Sequence, residues 1–240
     1  MFPTVEADFG LNMLRYASAN DSLVVSPISV ILALAMVQAG SKGITKSQIN
    51  SVISKGASDT EMEAYYSRLF HQIMNVTNGV KTRIANGFFL NKQFKVENDY
   101  EQKIRKVYEA KVEALNFEKA KEAAKVIDDF IANTTEGKIR DMVIENSVED
   151  AYSLVVNAIY FSAKWKFKFY RSANSNGTFY SSAGKEREVD EDGTTAAAAT
   201  FFKIVPESAI MEEPVKFKAD HPFLLLLTKD NNLLFMGQFV

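Results

Sequence analysis

The sequence predicts an α+β fold in which helices pack on a large β-sheet, and three observations carry that expectation. Helical and strand-like apolar patterns alternate through the first half of the chain with no linker between them. Residues 27–39 are apolar almost all round at helical spacing, as in a helix buried inside a sizeable domain. Residues 152–169 are strand-like and, in their first part, apolar on both faces, which is the pattern of a central strand.

The elements follow in order. Val5, Phe9, Met13 and Tyr16 recur at roughly helical spacing and make residues 4–18 an amphipathic helix. Residues 22–25 are a short apolar strand that ends at Ser26-Pro27. Proline suits the first turn of a helix, where its missing N–H is not needed, and Ser26 can cap that turn. The helix it opens stops at Gly40. Another helix covers residues 59–75, and residues 82–94 read as a strand carrying Phe88 and Phe89. Helices at 98–110 and 118–132 flank a short strand near 112–115, and Gly137 closes the second helix. Over residues 171–192 the composition turns to Ser, Asn, Gly, Lys and Glu, which predicts an exposed and weakly structured stretch. Strand character returns at 223–227 and 233–240, split by the turn-like Lys229-Asp230-Asn231-Asn232.

Composition bounds the function. With 240 residues, 47% of them hydrophobic, the chain can bury a core, so collagen, a disordered tail and a disulfide-stapled miniprotein are excluded. At about 150 residues per domain, one large domain or two small ones fit. Against 30 acidic side chains stand 28 basic ones, which gives no concentrated basic face for nucleic acid and no attraction to a membrane surface. Cysteine is absent, which removes disulfides, thiolate zinc sites and a cysteine nucleophile together. The two histidines, His71 and His221, lie far apart, so neither a histidine metal cluster nor a cofactor is expected. The longest strongly apolar run, residues 30–37, is far shorter than the roughly 20 residues that span a bilayer. Glu6 and Asp8 stand where a secretory signal would have a basic start and an apolar stretch. The expectation is a soluble, cytoplasmic protein, whose sequons Asn75-Val76-Thr77 and Asn133-Thr134-Thr135 stay unmodified.

Ser26-Pro27-Ile28-Ser29 at the start of the apolar helix and the alanine run Ala196 to Ala199, with further motifs spread along the chain in a fixed order, resemble those of the serpin family of protease inhibitors. VVSPISVILALAMVQAGSKGITKSQI is similar to the family's core helix, with Ser26, Ser29, Gly40, Gly43, Thr45 and Gln48 in register. Thr135, Gly137, Lys138 and Ile139 resemble the T-x-G-K-I that follows the sheet-covering helix, although Asp128 stands where asparagine is usual. Asn157, Ala158, Ile159, Tyr160, Phe161, Trp165 and Phe169 match the signature of the third strand of the large sheet, with Ser162-Ala163 in place of the common Lys-Gly. Asp220-His221-Pro222-Phe223 and Leu234-Phe235-Met236-Gly237 resemble the two C-terminal strand motifs. The likeness is to intracellular members, clade B-like or nematode-like; it implies a cytoplasmic protein, or an extracellular one if exported as some members are. It also assigns Ser26, Ser29, Asn157 and Trp165 to the region through which the family inserts its loop.

That loop is bait in the family: a protease cleaves it, becomes acyl-linked to it and is crushed as the freed loop enters the large sheet. Glu191, Gly193, Thr194, Ala196, Ala197, Ala198, Ala199 and Thr200 resemble the hinge of an inhibitory loop, which the resemblance extends over residues 191–213. An inserting strand cannot bury charge, and Thr194, Ala196, Ala198, Thr200, Phe202 and Ile204, taken by twos, carry none. Alone, the alanine run would read as a linker or a helical turn. Family spacing from the hinge puts the scissile bond at Glu207-Ser208, which implies a protease with a basic pocket, granzyme B-like or caspase-like. A shift toward Met211 would imply a chymotrypsin-like or cathepsin-like enzyme instead. Partners implied are thus a serine protease or a cysteine protease, with no nucleic acid and no membrane.

The family's chain continues past the strand ending near Val189 with several more strands and helices before the hinge; here only Asp190 separates Val189 from Glu191. The resemblance therefore implies a single serpin domain over 1–240, internally truncated near 189–191. The second half of the large sheet and most of the smaller sheets would be missing, as would one wall of the insertion slot and its histidine. Open sheet edges would then favour self-association. The first expected function is that of a serine-type endopeptidase inhibitor; the alternative is a noninhibitory form, cleaved as a substrate or acting as a binding module. An enzyme ranks below both, because Glu149-Asp150 reads as a solvated loop, His221 as structural and His71 as a helix residue without a role.

Overall fold

The computed structural model describes residues 2–75, 79–164, 177–181, 186–189, 201–202 and 217–240. In chain order the elements are α1 (Phe2–Tyr16), β1 (Leu23–Val25), α2 (Pro27–Gly40), α3 (Gly43–Ile53), α4 (Asp59–Met74), β2 (Val80–Asn91), α5 (Asn98–Tyr108) and β3 (Lys111–Leu115). A 3-10 turn (Phe117–Lys119), α6 (Ala120–Thr134), α7 (Glu145–Val148) and β4 (Ser153–Ala163) follow. The remainder is strand: β5 (Gly177–Tyr180), β6 (Glu186–Val189), β7 (Phe201–Phe202), β8 (Phe217–Lys218), β9 (Phe223–Lys229) and β10 (Asn232–Phe239). The class is α+β, as the sequence predicts. Two compact units form, one from Met1–Phe9, Ser26–Ala163 and Thr228–Leu234, the other from Gly10–Val25, Lys164–Leu227 and Phe235–Val240.

The first unit is built on a sheet of order β3-β2-β4. β2 runs parallel to β3, from Gly87↔Lys111 to Asn91↔Leu115, and antiparallel to β4, from Val80↔Ala163 to Leu90↔Ser153. Because side chains alternate, β2 can bury both faces at once. Ala85 and Phe89 pack with Val156 and Ala158 of β4 under Ala123, Ala124, Ile127 and Ile131, the apolar stripe of α6. On the other face Phe88 meets Tyr100 of α5 edge-on at 5.4 Å. Gly137, at φ 74, ends the α6 region in the left-handed conformation that glycine adopts without strain, and its N–H bonds Ala132 O at 2.7 Å.

α2 starts as its sequence dictates: Pro27 is in the first turn, and Ser26 Oγ accepts the Ser29 N–H. Ile28, Ile31, Leu32, Ala35 and Met36 are buried. Val30 and Val37 are each 36% exposed, so a helix that is apolar all round is covered only in part. α3 has no counterpart in the sequence reading, and the reason is visible: of its 11 residues only Ile53 is fully buried, so no apolar period marks it. Polar ties hold it instead. Gln38 Nε2, at 1% exposure, donates to Asn50 Oδ1 at 2.8 Å and to Asp59 Oδ1 at 2.7 Å, which joins α2, α3 and α4.

In the second unit β10 pairs antiparallel with β1, Leu23↔Gln238 to Val25↔Met236, within a sheet of order β1-β10-β9. The turn from β9 to β10 has positive φ at Asp230 (49°) and Asn231 (66°), the two-residue geometry that the sequence signals. The stretch 171–192 departs from expectation, because β5 and β6 in it form an antiparallel pair, Gly177↔Val189 to Tyr180↔Glu186. Four-residue strands are too short to show alternation, and aromatic anchors hold them instead: Phe179 is fully buried edge-on to Phe239 at 5.0 Å, and Tyr180 stacks on the His221 ring at 5.3 Å. No helix among the described residues is long and apolar enough to cross a membrane.

Candidate functional site

Three of the four residues assigned to loop insertion come together in the first unit. Ser26 Oγ donates to the carbonyl of Leu234 at 2.7 Å while it caps α2, so the start of that helix is tied to the start of β10. One turn on, Ser29 Oγ donates to Asn157 Oδ1 of β4. Asn157 Nδ2 donates to Asn86 Oδ1 of β2 at 2.5 Å, and Asn86 Nδ2 donates to the carbonyl of Tyr108 at 2.7 Å. Each amide thus accepts with its oxygen and donates with its nitrogen, and the relay runs in one direction from α2 through both strands to the end of α5. Trp165, the fourth residue, lies outside the described residues.

The sequence reading singles out neither Asn86 nor Tyr108. A signal exists for Asn86: it interrupts the apolar run Ile84-Ala85 to Phe88-Phe89 in a strand buried on both faces, and a buried amide must find partners. The Tyr108 contribution is a backbone carbonyl, which no side-chain pattern can announce.

β4 carries the relay, and among the described residues only β2 is hydrogen-bonded to it. Beside its first residues a cleft of about 420 Å³ opens between α2, β2 and α5, lined by Val37, Phe88, Phe94, Tyr100, Tyr152 and Val155. Tyr152 is 75% exposed there and meets Phe94 edge-on at 5.3 Å.

Asp128, the departure from the usual asparagine, is used as a carboxylate. Oδ2 accepts the N–H of Asp141 at 2.9 Å, and Oδ1 accepts those of Met142 at 2.8 Å and Val143 at 3.3 Å. Burial works to raise its pKa, but these three N–H groups and the charge of Arg140 together hold it below the ordinary value of 3.8. Neither histidine meets a metal-ligand set: His71 is bonded to Ser67 O and faces Glu109 at 3.2 Å, and His221 pairs with Asp220 at 2.8 Å. Among the described residues no group of three or more His, Cys, Asp or Glu is arranged to hold a metal ion. Glu149 and Asp150 are exposed after α7, as a solvated loop should be.

Of the predicted reactive loop, the described residues are Phe201 and Phe202, which form β7 and pair antiparallel with β8, Phe201↔Lys218 and Phe202↔Phe217. The hinge residues Glu191, Gly193, Thr194, Ala196 to Ala199 and Thr200 lie outside the described residues, as do Glu207 and Ser208.

Known proteins agree with this architecture. Serine protease inhibitor 42Dd of Drosophila melanogaster is 30% identical over 175 residues, covering 72% of this chain and 47% of that protein. The native structure of Arabidopsis AtSerpin1 superposes with a TM-score of 0.72 at 24% identity, over 84% of this chain and 50% of that one. Serpin48 of the insect Tenebrio molitor superposes with a TM-score of 0.80 at 16% identity, over 99% of this chain and 97% of that one. The chain spans about half the length of the curated relatives it matches. The family model described as Serpin (serine protease inhibitor) matches it in two stretches, residues 4–190 and 186–240. Matched by the family model over residues 4–190 and 186–240, the chain belongs to the serpin family.

Proposed function

We propose that this chain is a serpin directed at serine-type endopeptidases, which it inhibits by offering residues 191–213 as a cleavable reactive-centre loop. The observation that carries this reading is the family match over residues 186–240, a stretch that contains the hinge-like Glu191 to Thr200. The scissile bond is Glu207-Ser208, and the target prefers an acidic residue, as a granzyme B-like serine protease or a caspase-like cysteine protease does. The two matched stretches meet at 186–190, and this junction supports one serpin domain with an internal truncation near 189–191.

Sheet topology favours a second reading. A loop inserts between two strands, and β4, the strand carrying Asn157, has a hydrogen-bonded neighbour on one side only among the described residues. Such a chain would be cut and released, acting as a noninhibitory substrate or binding module, and the sheet edges that a truncation leaves would support association with other chains.

One experiment separates the readings. The protein is incubated with a panel of acidic-specific, chymotrypsin-like and cathepsin-like proteases, run on a denaturing gel, and the new N-terminus is sequenced. An SDS-stable adduct supports inhibition, and cleavage without adduct supports the second reading. A new N-terminus other than Ser208 overturns the assigned bond.

A further inference from the structure

Glu6 of α1 is fully buried, and its partners set a constraint on protons. Its Oε2 accepts the N–H of Leu233 at 3.3 Å. Its Oε1 lies 3.0 Å from the hydroxyl oxygen of Tyr65 in α4, and that same oxygen lies 2.6 Å from Asn232 Oδ1 at the start of β10. The amide of Asn232 is oriented, because its Nδ2 donates to Asp230 O at 3.2 Å and turning it over would set two oxygens at that distance. Tyr65 therefore faces two acceptors with one proton. With Glu6 ionised, one of the two contacts must be oxygen lone pair against oxygen lone pair. With Glu6 protonated, every group is satisfied: Glu6 donates to Tyr65, and Tyr65 donates to Asn232.

We propose that Glu6 is held as the neutral acid and acts as a proton-operated clamp, which joins the N-terminal helix through Tyr65 to the final hairpin and opens as pH rises. The surroundings agree with this assignment. On α1, Asp8 is engaged by Lys55. On the hairpin, Lys229 donates to the carbonyls of Gln72 and Asn75, and Asp230 is exposed. On α4, Tyr65 and Tyr66 are neutral, their hydroxyls held above the ordinary range by burial and by Glu6, and Arg68 acts on Tyr65. No cation neutralises Glu6 within this set. Burial pushes its pKa up to about 7, against which the Tyr65 and Leu233 hydrogen bonds work only in part.

The linkage has a definite sign. Between the ordinary value of 4.5 and about 7 the folded chain holds a proton that the unfolded chain has lost, so stability falls as pH rises through that window and levels off above it. The test follows the carboxyl of Glu6 by carbon NMR in the full chain and measures denaturant stability from pH 5 to 8.5. The expected result is a Glu6 midpoint near neutrality and a folding constant that drops on the order of a hundredfold more for the wild type than for Glu6→Gln. Glu6→Gln reproduces the neutral acid, since its amide can donate to Tyr65 and its oxygen can accept from Leu233. Asn232→Ala separates the clamp from burial alone: freed of its second acceptor, Tyr65 serves the ionised carboxylate and the Glu6 midpoint moves down. A Glu6 midpoint near 4.5, an equal pH slope in Glu6→Gln, or an unmoved midpoint in Asn232→Ala would each overturn the proposal.

Discussion

Asn86 and Asn157 face each other across the ladder of β2 and β4, with the amide of Asn157 donating to the amide oxygen of Asn86 at 2.5 Å. Two amides at the centre of a buried sheet gain little net stability over apolar residues, but each is costly to leave alone. Asn157→Ala strips a partner from both Asn86 and Ser29 at once. We expect it to destabilise the protein by roughly 1–3 kcal/mol in urea denaturation. Ser29→Ala added to Asn157→Ala should then cost almost nothing further, because the bond it removes is already gone.

Gly87 sits one residue beyond Asn86, at a close approach. A Cβ there would stand 2.6 Å from Phe89 Cε2, 2.9 Å from Val156 Cγ2 and 3.2 Å from Phe130 Cε1. These are ring and methyl atoms of the core beneath α6, with little room to give. Gly87→Ala should therefore lower stability by about 1–3 kcal/mol through overpacking, although alanine is the better residue for the unfolded chain. Thermal melts of the two proteins measure it.

Much of the fold can be read where one face or one stripe decides the matter. The α2 start follows from Ser26-Pro27, β2 from its aromatics, and the last hairpin from Asp230-Asn231. Elements held by other means escape. α3 hangs on Gln38, Asn50 and Asp59, and β5 on the rings of Phe179 and Tyr180, so neither leaves a period in the sequence. At the site, Ser26, Ser29 and Asn157 are legible through family motifs, whereas the carbonyl of Tyr108 is not. The partial exposure of Val30 and Val37 has a related cause: the pattern of α2 records burial on all sides, and the described residues cover it on some.

Asp128 makes the acid limb of stability testable. Its pKa is held below 3.8 in the folded protein, so it contributes stability above that value and loses it as pH falls through the folded pKa. Asp128→Asn keeps an oxygen for Met142 and Val143 but turns a donor toward the N–H of Asp141. We expect a loss of about 1 kcal/mol at pH 7, near the low end for a charge-assisted group because the site faces solvent. The difference between the two proteins should narrow as pH falls through the folded pKa of Asp128, by the same linkage. An Asp128→Asn variant as stable as the wild type at neutral pH would mean that the 141–143 backbone is held by other contacts.

Heat stability distinguishes the two functional readings without any knowledge of the target. In a working trap the cleaved loop becomes a new strand with ladder bonds on both sides, a gain of several kcal/mol; for a chain of this size each kcal/mol moves Tm by roughly 2–4 °C. Among the described residues β4 is paired along one edge, with β2, and no second strand stands at the other. A loop lying along that edge would be paired on one side and exposed on the other, where its alanines bury little surface. On the noninhibitory reading, cleavage within residues 191–213 shifts Tm by less than about 4 °C in calorimetry of intact and cut protein. A rise of about 10 °C or more would require a two-sided slot, and would return the chain to the trapping mechanism of its family.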